Sequence, residues 1–404
     1  MNVLVINAGS SSLKYQLINV EMQELLAKGL CERVGSDEAV HKHGLAGNEH
    51  TENVPMPDHD AAVALVLDAI TSGPTKAIDS LDEIEAVGHR IVQGGKYFDR
   101  SVIIDEDVIA KIDEMAELAP LHNKAAIMGI RGCQHHMPDT PMVAVFDTSF
   151  YQSLPPKAYM YPIPYELYEK YSIRKYGAHG TSHRYIAERA ADLLQEDLQD
   201  LKLITCHLGN GCSISAVDHG IAVDTSMGLT PLDGLMMGTR CGSIDPAIVT
   251  YIMQKEGLSP DEMNDLLNKR SGLFGVSGIS NDLRNVDELA ERGNERAQLA
   301  IEMYANSAKR YIGQYIAVMG GVGENSAKMR RMIFAGLQTM GIVLDNERNR
   351  TGPREREIST DESEVLIVII PTDEELMIAR DTYELVHDLV FSDEIDYNMD
   401  LLYL

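Results

Sequence analysis

The feature that most constrains this fold is a pair of similar glycine-rich turns far apart in the chain. Asn7-Ala8-Gly9-Ser10-Ser11-Ser12 lies near the start and Gly209-Asn210-Gly211-Cys212-Ser213 in the middle. Each joins two β-prone runs, Val3 to Ile6 with Leu13 to Leu17, and Leu203 to Leu208 with Ile214 to Val217. Both therefore read as hairpins with permissive tips. Small residues at such a tip let backbone N–H groups approach an anion, and the hydroxyls of Ser10, Ser12 and Ser213 can add hydrogen bonds. Two such hairpins imply a duplicated fold that holds one phosphate chain from both sides.

A chain of 404 residues, 44% of them hydrophobic, is long enough for two packed cores. No apolar stretch reaches the length of a membrane helix, and no basic region precedes an apolar run at the N-terminus, so a cytoplasmic location is expected. Cys31, Cys133, Cys206, Cys212 and Cys241 are odd in number and lack paired spacing, and they read as reduced thiols. A formal net charge of -27 disfavours nucleic-acid and anionic-membrane partners. A nucleotide needs only a local cation cluster or Mg²⁺, and Lys14, Arg90, Arg174, Lys175, Arg184 and Arg240 lie near candidate motifs. Most of the acidic excess reads as solvated surface.

The first part alternates strand-like and helix-like segments, which argues for α/β layering. Ala61 to Ile70 reads as a helix, Ala86 to Val92 as a strand, and Asp105 to Leu118 as a helix stopped by Pro120. A further helix follows from Lys124 to Cys133, then a strand from Val143 to Phe146 with Asp147-Thr148-Ser149 at its carboxyl end, where catalytic groups of open α/β sheets gather. The proline-rich stretch from Pro155 to Pro164 marks a boundary. Domains are expected at 1–150 plus 376–404 and at 151–375. In the second, a helix spans about Asn294 to Met319, and Val365 to Ile370 reads as an apolar strand before Pro371-Thr372-Asp373-Glu374-Glu375. A last helix runs from Leu376 to Leu389, and the acidic residues beyond it are expected to pack loosely.

His89-Arg90 closes a strand before Gly94-Gly95, and Arg240 sits among small residues in Met237-Gly238-Thr239-Arg240-Cys241-Gly242. One such arginine would read as a surface ion pair; two suit a carboxylate or phosphate, which the guanidinium fork matches. Gly177-Ala178-His179-Gly180-Thr181-Ser182-His183 places two histidines in a loop before a helix that Thr181 or Ser182 can cap. No glutamate completes a zincin pattern, so His179 is better read as a donor to a transferring phosphoryl group and His183 as a core hydrogen-bonder. Cys133, His135 and His136 lack a further ligand at standard spacing and read as a helix C-terminus. Asp147 and Glu374 are candidate Mg²⁺ contacts, although an acidic residue also suits a helix N-terminus. No P-loop or dinucleotide-binding fingerprint occurs, so the phosphate site is of another kind.

With these motifs in view, the chain resembles the acetokinase family, the acetate kinases of the actin, sugar kinase and heat-shock chaperone superfamily. The likeness runs from Met1 to about Leu389. It rests on Val5 to Lys14, Tyr176 to His183 apart from Ala178, His207 to Gly211, Asp224 to Arg240, and Pro371 to Glu375. The resemblance implies an α/β fold of two duplicated ribonuclease-H-like domains with a central cleft, forming a homodimer. It implies reversible transfer of the ATP γ-phosphoryl group to acetate with Mg²⁺, giving acetyl phosphate and ADP. Carried over by motif, Asn7, Ser10, Ser12 and Lys14 are phosphate- and metal-site residues, with Asn7 and Glu374 at the metal. Arg90 and Arg240 are clamps on the carboxylate and the transferring group, Asp147 organises Mg²⁺, and His179 is the transition-state donor. His122, His207, Asn210 and Gly211 support the phosphates, whereas Asp282, Arg284, Gly321 and Asn325 hold the nucleotide. Val92, Leu121, Ala178 and Pro231 form the acyl pocket.

The chain departs from the family pattern twice. Gly320-Gly321-Val322 joins the helix ending near Met319 directly to the Gly-Glu-Asn motif, leaving no room for the strand of roughly five or six residues expected there. Either neighbouring segments rearrange, or the nucleotide site is damaged, or the recorded sequence lacks residues. Ala178 replaces the family's usual phenylalanine beside the acyl group, which predicts better use of propionate or butyrate. The alternative reading is a catalytically impaired homologue that binds a ligand or partner; a sugar kinase fits less well, because paired arginines suit a carboxylate better than a polyol.

Overall fold

The computed structural model describes residues 1–45, 48–316 and 327–399. Its chain contacts divide it into two units, Met1–Phe150 with Asp373–Leu404, and Tyr151–Thr372. Asp373, Glu374 and Glu375, assigned on sequence to the second domain, thus belong to the first unit. The reason is local: Asp373 Oδ1 accepts from Leu376 N and caps the C-terminal helix, Glu374–Met399, so the helix starts two residues before Leu376.

Unit 1 is built on an eight-stranded sheet in the order β5-β4-β3-β2-β1-β6-β8-β7. Its strands are β1 (Asn2–Gly9), β2 (Ser12–Asn19), β3 (Glu24–Glu32), β4 (Val40–Leu45), β5 (Asn48–Asn53), β6 (Ala86–Ile91), β7 (Val102–Ile103) and β8 (Met142–Phe146). Strand β1 carries apolar residues on both faces, as a central strand must. Leu4 and Ile6 pack with helices α1 (His59–Thr71) and α3 (Pro120–His136), whereas Val3 and Val5 pack with Ile378 and Ala379 of the C-terminal helix. Helix α1 forms where expected, because Asp58 caps it and Ala62, Val63, Val66, Leu67 and Ile70 line one stripe. Pro120, read as a stop, instead opens α3: it ends the turn that follows α2 (Glu106–Glu114) and occupies N1, where a missing N–H costs nothing. His122 and Asn123 therefore stand in the first turn of a helix rather than in a loop.

Unit 2 contains helices α4 (Pro156–Tyr159), α5 (Tyr165–Tyr171) and α6 (Gly180–Leu194), then an antiparallel meander of β9 (Lys202–Leu208), β10 (Cys212–Asp218) and β11 (Ile221–Thr225). Helices α7 (Pro246–Glu256), α8 (Pro260–Lys269), α9 (Gly272–Ser277), α10 (Leu283–Glu291), α11 (Glu295–Ile316) and α12 (Ala327–Phe334) follow, with a short pair β12 (Arg356–Glu357) and β13 (Val368–Ile369). The apolar run Val365–Ile370 forms only this two-residue strand. Ile367 and Ile369 nevertheless enter the unit's core with Ile204, Ile214, Ala300 and Tyr304. The β9–β10 hairpin of unit 2 parallels the β1–β2 hairpin of unit 1. In unit 1 the free side of β1 is covered by parallel β6; among the described residues, no strand covers the corresponding side of β9. The segment in which the family strand was sought, Gly320 to Val322, lies outside the described residues, as do the site candidates Gly321 and Asn325. All five cysteines are free thiols. No helix among the described residues is long and apolar enough to cross a membrane.

Candidate active site

The predicted functional residues form two groups, one in each unit. In unit 1, β6 and β8 run parallel with Arg90 opposite Val145, so Arg90 and Asp147 emerge side by side at the carboxyl end of the sheet. Arg90 Nε and Nη2 donate to Asp147 Oδ1 and Oδ2 at 3.2 and 2.8 Å, a bidentate pair. Its Nη1 lies 3.0 Å from Glu374 Oε2, at the start of the C-terminal helix. Burial opposes the charge on Arg90, but Asp147 and Glu374 outweigh it and hold the pKa above the ordinary arginine value. Burial pushes the Glu374 carboxyl up, and Asp147 adds to the rise while Arg90 and Lys14 work against it. The Glu375 carboxyl is raised for the same reasons, burial first and Glu374 second.

The β1–β2 hairpin supplies the polar rim of this group. Gly9 pairs with Ser12 and Asn7 with Lys14, leaving Ser10 and Ser11 as an exposed two-residue tip. His59 Nε2 bonds Gly9 O at 2.8 Å, and Val34 N donates to Ser11 O at 3.0 Å, so the hairpin is pinned at its backbone. Among the described residues, the side chains of Asn7, Ser10, Ser12 and Lys14 make no hydrogen bond to the protein. Two helpers here escaped the sequence reading. Asn123 Oδ1 accepts from Gln93 N while its Nδ2 donates to the carbonyls of Gln93 and Ile112, and Thr148 Oγ1 accepts from Gly94 N. Together with the Gln93 side chain on Gly95 N, they set the turn after Arg90, which contains Val92. The signal was visible in Leu121-His122-Asn123 and Asp147-Thr148, but polar residues beside a site do not announce which backbone they will hold. His122 lies in the first turn of α3, and Leu121 precedes it.

In unit 2, His179 is the N-cap of α6 and adopts φ 60, ψ 23, a left-handed conformation uncommon for histidine. Thr181 and Ser182, expected as caps, lie inside the first turn. The Ser182 hydroxyl instead meets His207 Nδ1 at 2.8 Å and Thr372 Oγ1 at 2.6 Å. Ser213 is fully buried on β10 rather than presented at the hairpin tip. Its hydroxyl joins His179 Nδ1 at 2.8 Å and His183 Nε2 at 2.7 Å, and His183 Nδ1 meets Thr205 Oγ1 at 2.6 Å. Burial, with His207 beside it, holds His183 neutral, its pKa well below the ordinary value. Thr205 Oγ1 also donates to Ser215 O at 3.5 Å, and the Ser213 hydroxyl links the two imidazoles of His179 and His183. His183 is thus the expected core hydrogen-bonder, and it reaches His179 through Ser213.

His207 stacks on His179 with ring centroids 4.1 Å apart. Gly211 lies between His179 and Arg240: a Cβ there would stand 3.3 Å from the imidazole and 3.7 Å from Arg240 Nη1. Arg240 Nη1 donates to Pro231 O at 3.0 Å, and no carboxylate pairs with it among the described residues. Burial lowers its pKa, so the charge is held in a place that disfavours it. Asn210 O accepts from Gly238 N at 2.9 Å, and a Cβ on Gly238 would overlap the Asn210 side chain. Asn281 Nδ2 donates to Asn210 Oδ1 at 3.1 Å, a link the sequence did not suggest. It carries the hairpin contact on to Asp282, which caps α10 and pairs with exposed Arg284. Arg284 holds the Asp282 carboxyl at about 2. The other cations near motifs have partners of their own: Lys175 bonds Asp224, Arg184 bonds Glu188, and Arg174 stacks on Tyr159. Ala178 is buried in the unit 2 core, and Pro231 is half-buried.

Two groups rich in oriented arginine, histidine and carboxylate, each beside a glycine hairpin, on α/β units, define a phosphoryl-transfer enzyme. The acetokinase family profile matches residues 2–380. The acetate kinase of Alkaliphilus metalliredigens is 51% identical over 396 residues, covering 96% of this chain and 100% of that protein. The crystal structure of Porphyromonas gingivalis acetate kinase superposes with TM-score 0.91 at 42% identity, covering 95% of this chain and 99% of that one. A propionate kinase from Francisella tularensis superposes with TM-score 0.89, also at 42% identity and with the same coverage. This chain belongs to the acetokinase family and is a kinase.

Proposed function

We propose that the protein transfers the γ-phosphoryl group of ATP to acetate or another short-chain carboxylate, giving acyl phosphate and ADP, and that it runs the reverse reaction. The observation that carries this reading is Arg240, a half-buried guanidinium without a carboxylate partner among the described residues, held beside His179 across Gly211. A cation in that position asks for an anion. The acceptor carboxylate is ionised at neutral pH, so one of its oxygens attacks phosphorus without a general base while the bond to the ADP oxygen breaks. Arg240 and His179 stabilise the equatorial oxygens, and Arg90, oriented by Asp147, aligns the carboxylate. Asn7, Ser10, Ser12, Lys14, His122, His207, Asn210 and Gly211 support the phosphate chain. Asp282, Arg284, Gly321 and Asn325 belong to the nucleotide region.

The carboxylates of unit 1 fit Mg²⁺. Asp147 and Glu374 share one guanidinium, so the ionised cluster lacks positive charge, and every donor is a hard oxygen. Glu374, Asp147 and Asn7 would hold the ion, directly or through water, and it would supply charge neutralisation for the phosphate chain. A non-catalytic homologue is the second reading, supported by the uncovered side of β9 among the described residues. The family resemblance supports a cytoplasmic homodimer.

Incubation with ATP, Mg²⁺ and separate C2 to C4 carboxylates, with hydroxylamine trapping of acyl phosphate, tests the reading. Acyl hydroxamate is the expected product; none from folded protein would transfer the argument to the non-catalytic homologue. Within the same assay, Val92, Leu121, Ala178 and Pro231 are the proposed acyl pocket. Ala178→Phe is expected to lower the propionate-to-acetate ratio of kcat/KM by about tenfold. Because Ala178 is 2% exposed, melting is measured alongside. An unchanged ratio in a folded variant removes Ala178 as the selectivity residue.

A further inference from the structure

The Cys133, His135 and His136 cluster lacked another ligand at standard spacing. The fold supplies one from a different helix. Asp60 lies in the first turn of α1, and α1 packs on α3 so that Asp60 meets the last turn of α3. Gly132 makes the approach possible, since a Cβ there would stand 3.1 Å from Val63 and 3.4 Å from Asp60 Cα. His135 Nδ1 lies 2.9 Å and His136 Nε2 3.4 Å from the same oxygen, Asp60 Oδ1. The two imidazole rings are 4.6 Å apart by centroid. All three ligand atoms fall within 4.8 Å of one another. Cys133 points into the core and is not part of the cluster.

A surface ion pair between Asp60 and His135 would account for one contact. It leaves His136 Nε2 unexplained, because that atom is buried and, among the described residues, makes no hydrogen bond of good geometry. Ligand atoms around a tetrahedral cation with bonds of 2.0–2.2 Å stand about 3.3–3.6 Å apart; the 3.4 Å from Asp60 to His136 matches this, and the 2.9 Å to His135 would widen slightly on binding. Cationic charge is also favoured at the C-terminus of α3, where the helix dipole is negative. We propose that Asp60, His135 and His136 bind a borderline divalent cation of the Zn²⁺ class, with water completing its coordination. Two imidazoles and one carboxylate select such a metal over Mg²⁺ or Ca²⁺. The site is separate from the Mg²⁺ carboxylates: α3 carries His122 at its opposite end, and its 17 residues span about 25 Å. Bound metal would fasten the start of α1 to the end of α3.

The test titrates Zn²⁺ alone into chelator-stripped full-length protein by calorimetry, with Co²⁺ absorption as a spectroscopic check and melting curves taken with and without Zn²⁺. His135 is 68% and Asp60 46% exposed, so His135→Ala and Asp60→Asn should fold. The expected result is one saturable site that resists excess Mg²⁺, with affinity at least ~10-fold weaker in both variants. A Zn²⁺-dependent rise in Tm should accompany it and disappear in the variants. His135→Gln repeats the measurement if the alanine variant melts early without metal. Equal binding by parent and variants, as from the half-buried thiol of Cys241, or no saturable binding by the parent, overturns the site.

Discussion

Arg240→Ala is expected to lower kcat/KM for acyl phosphate formation by ~10³, with Tm changed by only a few degrees. The rate effect is large because Arg240 is charged in a place that disfavours charge, with no carboxylate pairing it among the described residues. Such an arginine contributes most when negative charge develops beside it. The fold effect is small because, among the described residues, the oxygen contact of its guanidinium is a single hydrogen bond to Pro231 O. Arg240→Lys should recover little, since an ammonium lacks the planar fork. Steady-state kinetics and melting curves on both variants check this. Activity of Arg240→Ala within tenfold of the parent would remove Arg240 from the transition state.

Glu374→Gln is expected to lower kcat by ~10²–10³ while leaving Tm unchanged or higher at neutral pH. The stability claim follows from the direction of the Glu374 shift. Its folded pKa stands above the ordinary value of 4.5, through burial first and Asp147 next, in spite of Arg90. The folded state therefore binds the proton more tightly than the unfolded state does. The parent accordingly loses stability as pH rises from 4.5 through the raised value. Glutamine has no such loss, so the Tm difference between variant and parent should grow from pH 4.5 to pH 8. Arg90 remains paired to Asp147 through two hydrogen bonds, so no buried charge is stranded. Added Mg²⁺ should raise the Tm of the parent and not of the variant. A variant that melts well below the parent at pH 8, or one that keeps full activity, would refute the role given to Glu374.

Where the candidate site residues stand on the fold was largely legible because their motifs are local in sequence. The hairpin Asn7 to Lys14, the strand ends at Arg90 and Asp147, and the glycine loop at Gly209 to Gly211 each join a residue type to a backbone shape within a few positions. Periodicity found α1 and α11, since one apolar stripe per 3.6 residues is written in the helix itself. Errors arose where a residue has two local uses. Pro120 ends one helical segment and opens the next, and Asp373 caps the C-terminal helix so that it starts at Glu374 rather than at Leu376. Val365 to Ile370 has the composition of a strand, yet the length of a strand depends on a partner, and β12 supplies only two residues.

By itself the sequence determined which segments turn, which are amphipathic, which cations and carboxylates stand at strand ends, and which family the chain resembles. The tertiary structure alone decided how those groups are paired. It tied His183 to His179 through Ser213, gave Asp147 and Glu374 the same arginine, left Arg240 without a carboxylate partner among the described residues, and brought Asp60 to His135 and His136. The physical reason is one of range. Propensity, capping and turn formation act over a few residues. Hydrogen bonds, ion pairs and desolvation act over a few ångströms between residues that only the packed chain makes neighbours.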